Sequence, residues 1–166
     1  MKIDVSLISE LSTNGVYTLL LFLAKEATVD IGKLGKQRFP SGYYSYTGSA
    51  LGKGATSLKH RIARHLGKEK RKFWHIDYLL ADENVSVEVV IAAETNEKME
   101  CNLNSYLKNI KGSKIQVNGF GASDCKKKCG SHLLYFPEIK NVYCLVQKLV
   151  RYLQSSSAIL SVVIVD

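Results

Sequence analysis

The feature that most constrains the fold is the run Val16-Tyr17-Thr18-Leu19-Leu20-Leu21-Phe22-Leu23, which follows Gly15 and is almost unbroken in apolar character. Its β-branched and aromatic residues favour a strand, and the lack of polar alternation means that both faces of the strand are covered. It is expected to be the central strand of a sheet with a layer on each side. With 166 residues and 46% hydrophobic content the chain can bury such a core without cross-links, and one domain over 1–166 is the expectation.

The remaining elements arrange themselves around that strand. A turn-rich, basic segment runs from Asp30 to Lys36, and Pro40-Ser41-Gly42 resets the chain before a second strand, Tyr43 to Gly48, antiparallel to a neighbour. The glycine-rich loop Ser49 to Gly54 leads into a helix capped by Thr56 or Ser57, with Leu58, Ile62 and Leu66 as its buried stripe. Arg61, His65 and Lys68 repeat at that spacing on another face, turned from the core. Trp74 to Leu80 is short and aromatic, Val85 to Ala93 reads as a strand, and Glu97 to Ile110 as a helix with Met99, Leu103 and Leu107 inward. Leu133 to Phe136 is strand-like and ends at Pro137; residues 138–154 have helical spacing, and Ala158 to Val165 forms a last strand. The fold class is α/β in the broad sense, an α+β domain with a small mixed, mainly antiparallel central sheet flanked by helices.

A formal net charge of +8 and a pI near 9.3 favour polyanionic partners. No stretch approaches the ~20 apolar residues of a membrane span, and the start Met1-Lys2-Ile3-Asp4 lacks the apolar run of a signal peptide. The expected location is the cytoplasm, with no membrane contact. Cys101, Cys125, Cys129 and Cys144 would be reduced there.

Gly15-Val16-Tyr17, then Tyr46-Thr47-Gly48 about thirty residues later, then Arg61 and His65 four apart on a helix, resemble the GIY-YIG nuclease superfamily. Trp74 to Leu80, and Gly119 to Cys125 with Ser131-His132-Leu133, resemble an archaeal and bacterial branch of it that carries a domain of unknown function and is sometimes fused to DNA-repair endonucleases. The likeness covers residues 13–137 and leaves 138–166 as a C-terminal extension. It implies metal-dependent endonucleolytic hydrolysis of phosphodiester bonds in nucleic acid, DNA ahead of RNA, with Mg²⁺ or Mn²⁺. Tyr17 and Tyr46 would line the approach of the water, and one of them would take its proton. Arg61 would neutralise the phosphate, and His65 would hold a tyrosine hydroxyl or shuttle a proton.

The family's metal-ligand carboxylate is expected directly after the cysteine of the helix that follows the third strand, and here Asn102 stands there. An amide is a poor ligand for a hard cation. Glu100 lies about 200° around a helix from Asn102, which argues against it as a replacement. The competing reading is a catalytically inactive module that binds structured or damaged DNA for a repair enzyme. His75 and Asp77 would share one face if their stretch is a strand, and either join the site or cap the fold. Lys53, Arg64, Lys68, Arg71 and Lys72, with Lys70, are candidates for phosphate contacts or for a solvated charged face.

The loop Gly48 to Gly54 departs from a nucleotide-binding phosphate loop in both its spacing and the residue after Lys53, which argues against an NTPase. Cys125, Cys129 and His132 have spacing suited to zinc, with Cys101, His75 or Asp124 as the fourth ligand; the alternative is a pair of reduced cysteines beside a core turn.

Overall fold

The computed structural model describes residues 8–12, 14–69 and 71–165, so Lys70 and the Met1 to Asp4 segment lie outside the described residues. Strand β1 (Asn14–Leu23) is buried along nearly its whole length. Tyr17, Leu19, Leu21 and Leu23 enter one core, while Val16 and Leu20 enter another on the opposite face. Each such leucine, fully removed from water, contributes about 1.5–3 kcal/mol. A continuous apolar run is what a strand between two cores requires.

After β1 come β2 (Ala27–Asp30), β3 (Lys36–Phe39), β4 (Gly42–Leu51), helix α1 (Leu58–Leu66), α2 (His75–Leu80), β5 (Val85–Glu94) and α3 (Glu100–Lys108). Strand β6 (Leu133–Phe136), α4 (Tyr143–Gln154) and β7 (Ile159–Ile164) complete the described chain. Five strands form one sheet in the order β6-β4-β1-β5-β7, each neighbour antiparallel, with β1 in the middle. Among the described residues four named helices flank it, giving the α+β class expected. On the Tyr17 face lie Leu58 and Ile62 of α1 and Ile76 and Leu79 of α2. Beneath the other face lie Leu103 and Leu107 of α3, with Leu145, Leu149 and Leu153 of α4.

Several local expectations change. The basic segment Asp30 to Lys36 is the connection of a separate hairpin, β2 with β3, and holds a single 3-10 turn at Gly32–Leu34. Strand β4 continues through Ser49, Ala50 and Leu51, because these residues pair with Val16, Gly15 and Asn14. The glycine-rich loop is correspondingly shorter. Trp74 to Leu80 contains a helix instead of a strand, so His75 and Asp77 do not share a strand face. Helix α1 ends at Leu66 with Gly67 as its cap, leaving Lys68 beyond the helix. Among the described residues, no helix is long and apolar enough to cross a membrane.

Candidate active site and metal cluster

The two glycine-bearing triplets are explained by close approach. Tyr17 and Gly48 are direct partners across β1 and β4. A β-carbon at Gly48 would lie 2.5 Å from the Tyr17 hydroxyl, so only glycine lets the phenol pass over the neighbouring strand. At Gly15 a β-carbon would lie 2.6 Å from the Ala93 carbonyl and 2.7 Å from Leu58. Gly15 thereby seats α1 on the sheet. Gly121, at φ +65°, completes the set: a β-carbon there would come 2.9 Å from the Tyr46 ring.

With α1 seated, His65 is buried at 1% exposure and its Nε2 lies 2.8 Å from Tyr17 Oη. The expectation that His65 turns from the core is corrected: it sits inside, over the sheet, while Arg61 one turn earlier remains half-buried at the rim. Burial holds the Tyr17 hydroxyl well above its ordinary range, with Arg61 pulling the other way. Burial, reinforced by Tyr17 and Glu100, does the same to Tyr46. Both phenols are therefore neutral near pH 7, and Tyr17 is the natural donor to His65. Asp77 Oδ1 lies 4.0 Å from His65 Nδ1, which favours the tautomer that leaves Nε2 to accept.

Asp77 is itself buried, and its Oδ2 accepts from the backbone N–H groups of Phe73 and Trp74 and from Arg64 at 2.8 Å. It caps the start of α2 while facing His65. Arg64 is drawn inward, bonded to Asp77 and the Arg71 carbonyl, with its guanidinium 4.3 Å from the Trp74 ring centre. Arg61 approaches the same indole at 4.7 Å, and its buried Nε has no hydrogen-bond partner among the described residues. Lys53, Lys68, Arg71 and Lys72 are exposed. Arg71 and Lys72 lead directly into Phe73 and Trp74.

The largest correction concerns the carboxylate. Asn102 is exposed on α3, where Lys127 donates to its side chain, and it does not line the tyrosine cleft. Glu100, one residue before Cys101, does: its Oε2 accepts from Ser49 at 3.1 Å. The open cleft, about 510 Å³, brings Glu100 together with Tyr46, Gly48, Arg61, Trp74 and His75. Exposed Phe73 and Asp124 stand at its edge. His75 Nδ1 accepts from the Gly121 backbone N–H, tying α2 to the loop beside Tyr46.

Next to the cleft, Cys101, Cys125, Cys129 and His132 bring four possible ligand atoms within 4.8 Å of one another, a set able to hold a metal such as zinc. Of the three candidates for a fourth ligand, Cys101 is the one gathered in; His75 is engaged with Gly121 and Asp124 faces the cleft. Burial and the neighbouring thiols push Cys101 up to about 12. Cys125, although burial opposes it, is drawn down to about 6 by its close neighbours Cys129, Cys101 and His132. The set thus contains one thiol already inclined to ionise, as metal ligation requires.

A family model described as a domain of unknown function, DUF123, matches residues 16–155. The chain belongs to this family. No curated protein and no solved structure matches it. The DUF123 span runs from β1 through α4, so α4 lies within it although the likeness read from the sequence stops at residue 137.

Sequence reasoning passed over three parts of the site in this DUF123 chain. Glu100 is disfavoured on the sequence by its angle from Asn102, because nothing in the sequence states which side of α3 meets β4. Ser49 falls in the glycine-rich stretch by sequence and in β4 by structure. Phe73, 75% exposed, follows a basic run and stands just before the helix. An exposed phenylalanine beside a cationic stretch is a readable signal once the pattern is sought.

Proposed function

We propose that this chain is a GIY-YIG-type nuclease that hydrolyses phosphodiester bonds in DNA with the help of a divalent ion. The observation that carries the reading is the meeting, in one cleft, of Arg61, Tyr46 and Glu100, with the buried Tyr17–His65 pair directly behind Gly48 of its wall. A phosphoryl group entering there meets the guanidinium of Arg61 on the cleft wall, whose planar fork suits two non-bridging oxygens. The Tyr17 hydroxyl relays a proton from the attacking water to His65 Nε2. Asp77, facing the other ring nitrogen, stabilises the imidazolium that results. A bond forms from the water oxygen to phosphorus as the bond to the leaving sugar oxygen breaks, and that oxygen is protonated from solvent.

Glu100 and Asp124 are hard oxygen donors lining the cleft, the kind that Mg²⁺ or Mn²⁺ takes, and they are the residues that would hold it. Such an ion supplies charge neutralisation and eases departure of the leaving oxygen. The rival reading, a non-catalytic DNA-binding module serving a repair enzyme, drew its support from Asn102. With Glu100 facing the cleft, that support is removed.

The test is incubation of the full chain with labelled single-stranded, duplex, flap and branched DNA in Mg²⁺, Mn²⁺ or EDTA. Metal-dependent cleavage abolished by Arg61→Ala supports the nuclease. Binding without cleavage under every metal overturns it in favour of the module.

A further inference from the structure

We propose that Cys101, Cys125, Cys129 and His132 hold a structural zinc ion, and that Glu100 orients the histidine ligand, so that the metal centre and the neighbouring cleft share one carboxylate.

The donor set is the first ground. Zinc bound by sulfur at about 2.3 Å in a tetrahedron places its thiolates about 3.8 Å apart. Cys101 and Cys125 already stand 3.6 Å apart, sulfur to sulfur. That separation is far beyond a disulfide bond of about 2.05 Å. The four candidate ligand atoms all lie within 4.8 Å of one another, so closing on an ion needs little movement.

The second ground is independent of the cysteines. His132 is only 3% exposed, and neither ring nitrogen makes a well-aligned hydrogen bond among the described residues, although thiols and a carboxylate crowd it. Its Nδ1 is 3.1 Å from Glu100 Oε1, close enough for an ion pair but without the alignment of a hydrogen bond. A buried imidazole with an idle Nε2 is costly unless something binds it. With Nε2 on zinc, Nδ1–H faces the carboxylate, the arrangement by which acidic groups fix the tautomer of metal-bound histidines.

Four protein ligands leave no open position, which makes the ion structural instead of catalytic. Three thiolates select zinc over Mg²⁺. They leave a net charge of about −1 on the centre. Lys126, Lys127 and Lys128, inside the same loop, offset it. The mechanical consequence follows from where the ligands originate. Cys101 belongs to the first turn of α3, and the other three to the segment between α3 and β6. That segment also carries Gly121, which abuts Tyr46. One ion therefore pins together the helix that supplies Glu100 and the loop that walls the cleft. This inference does not depend on the cleft being a nuclease.

The experiment is metal analysis of the full chain purified under reducing conditions without chelator, followed by cobalt titration. About one zinc per chain is expected, and Co²⁺ should give intense visible bands with strong thiolate-to-metal charge transfer, a measure of thiolate number that needs no variant. Cys125→Ser and Cys129→Ser should lose the metal, whereas Cys144→Ser should retain it, because Cys144 lies outside the cluster. Glu100→Gln should keep the stoichiometry while weakening zinc binding about 10–100-fold. Substoichiometric zinc after reconstitution, or a cobalt spectrum without thiolate charge transfer, overturns the site. Unchanged zinc affinity in Glu100→Gln overturns the shared carboxylate.

Discussion

Tyr17 and His65, forty-eight residues apart, meet at 2.8 Å in the interior, the phenol from the central strand and the imidazole from the helix laid over it. Removing the hydroxyl leaves a buried imidazole nitrogen without its donor, a loss of about 1–3 kcal/mol. Tyr17→Phe should lower unfolding free energy by that amount in denaturant titration. If Tyr17 relays the proton, cleavage should also fall about 10²–10⁴-fold. Stability loss with full cleavage would assign the pair to the fold alone.

The site carboxylate is decided by two substitutions on one helix. Glu100→Gln removes the charge from the cleft while keeping a group that Ser49 can still meet, and metal-dependent cleavage should drop at least about 100-fold. Asn102→Asp places a carboxylate where the sequence pattern expects one, yet on the exposed side of α3. It should leave cleavage within about twofold, since an exposed charge outside the cleft is screened by solvent. Recovery of a Glu100→Gln enzyme by Asn102→Asp would contradict the placement.

The glycines offer a test that needs no assay of activity. Gly48→Ala forces a methyl to 2.5 Å from the Tyr17 hydroxyl, and overpacking of this kind costs about 1–3 kcal/mol. Gly121→Ala adds backbone strain at φ +65° to a close approach on Tyr46. Both should lower the midpoint of thermal unfolding, whereas Gly35→Ala, where a β-carbon meets nothing within 4 Å, should show only the backbone component.

Buried tyrosines also set an alkaline limit. Burial raises Tyr17, Tyr44 and Tyr46 above the ordinary tyrosine range in the folded chain. In the unfolded chain they ionise near pH ~10. Above that pH the folded state holds more protons than the unfolded one, so stability falls as pH rises. The stabilisation is complete below the unfolded tyrosine pKa and is lost progressively above it. Unfolding monitored through tyrosinate absorbance should show these phenols ionising together with loss of structure, not before it.

How much of this was readable in the sequence depends on whether an element's role is written locally. β1 was legible because a strand between two cores must be apolar on both faces, and Val16 to Leu23 is. Leu103 and Leu107 were legible for the same reason, by spacing. The β2–β3 hairpin was not, since Thr28, Asp30, Lys36 and Arg38 give it little apolar patterning and only Ala27 and Phe39 are buried. Asp77 was half legible: an acid three residues after Trp74 is a helix-start signal, but the charge of Arg64 that completes it comes from another helix. Glu100 was misjudged because its direction is fixed by how α3 docks beneath the sheet, a tertiary fact that no count along the chain contains.

Phe73 separates binding from folding. It is 75% exposed, edge-on to Trp74 with ring centres 5.7 Å apart, and Trp74 in turn lies against the guanidinium groups of Arg61 and Arg64. Little of its ring is removed from water on folding, so Phe73→Ala should change stability by no more than about 0.5 kcal/mol. An unpaired base entering the cleft would find that ring free to stack on, and stacking on an aromatic side chain is worth about 1–3 kcal/mol per base. The variant should therefore bind single-stranded or flap DNA about 5–150-fold more weakly by fluorescence anisotropy, with a smaller effect on blunt duplex, whose bases are already stacked. Equal losses on both substrates would show that Phe73 acts on the backbone path and reads no base.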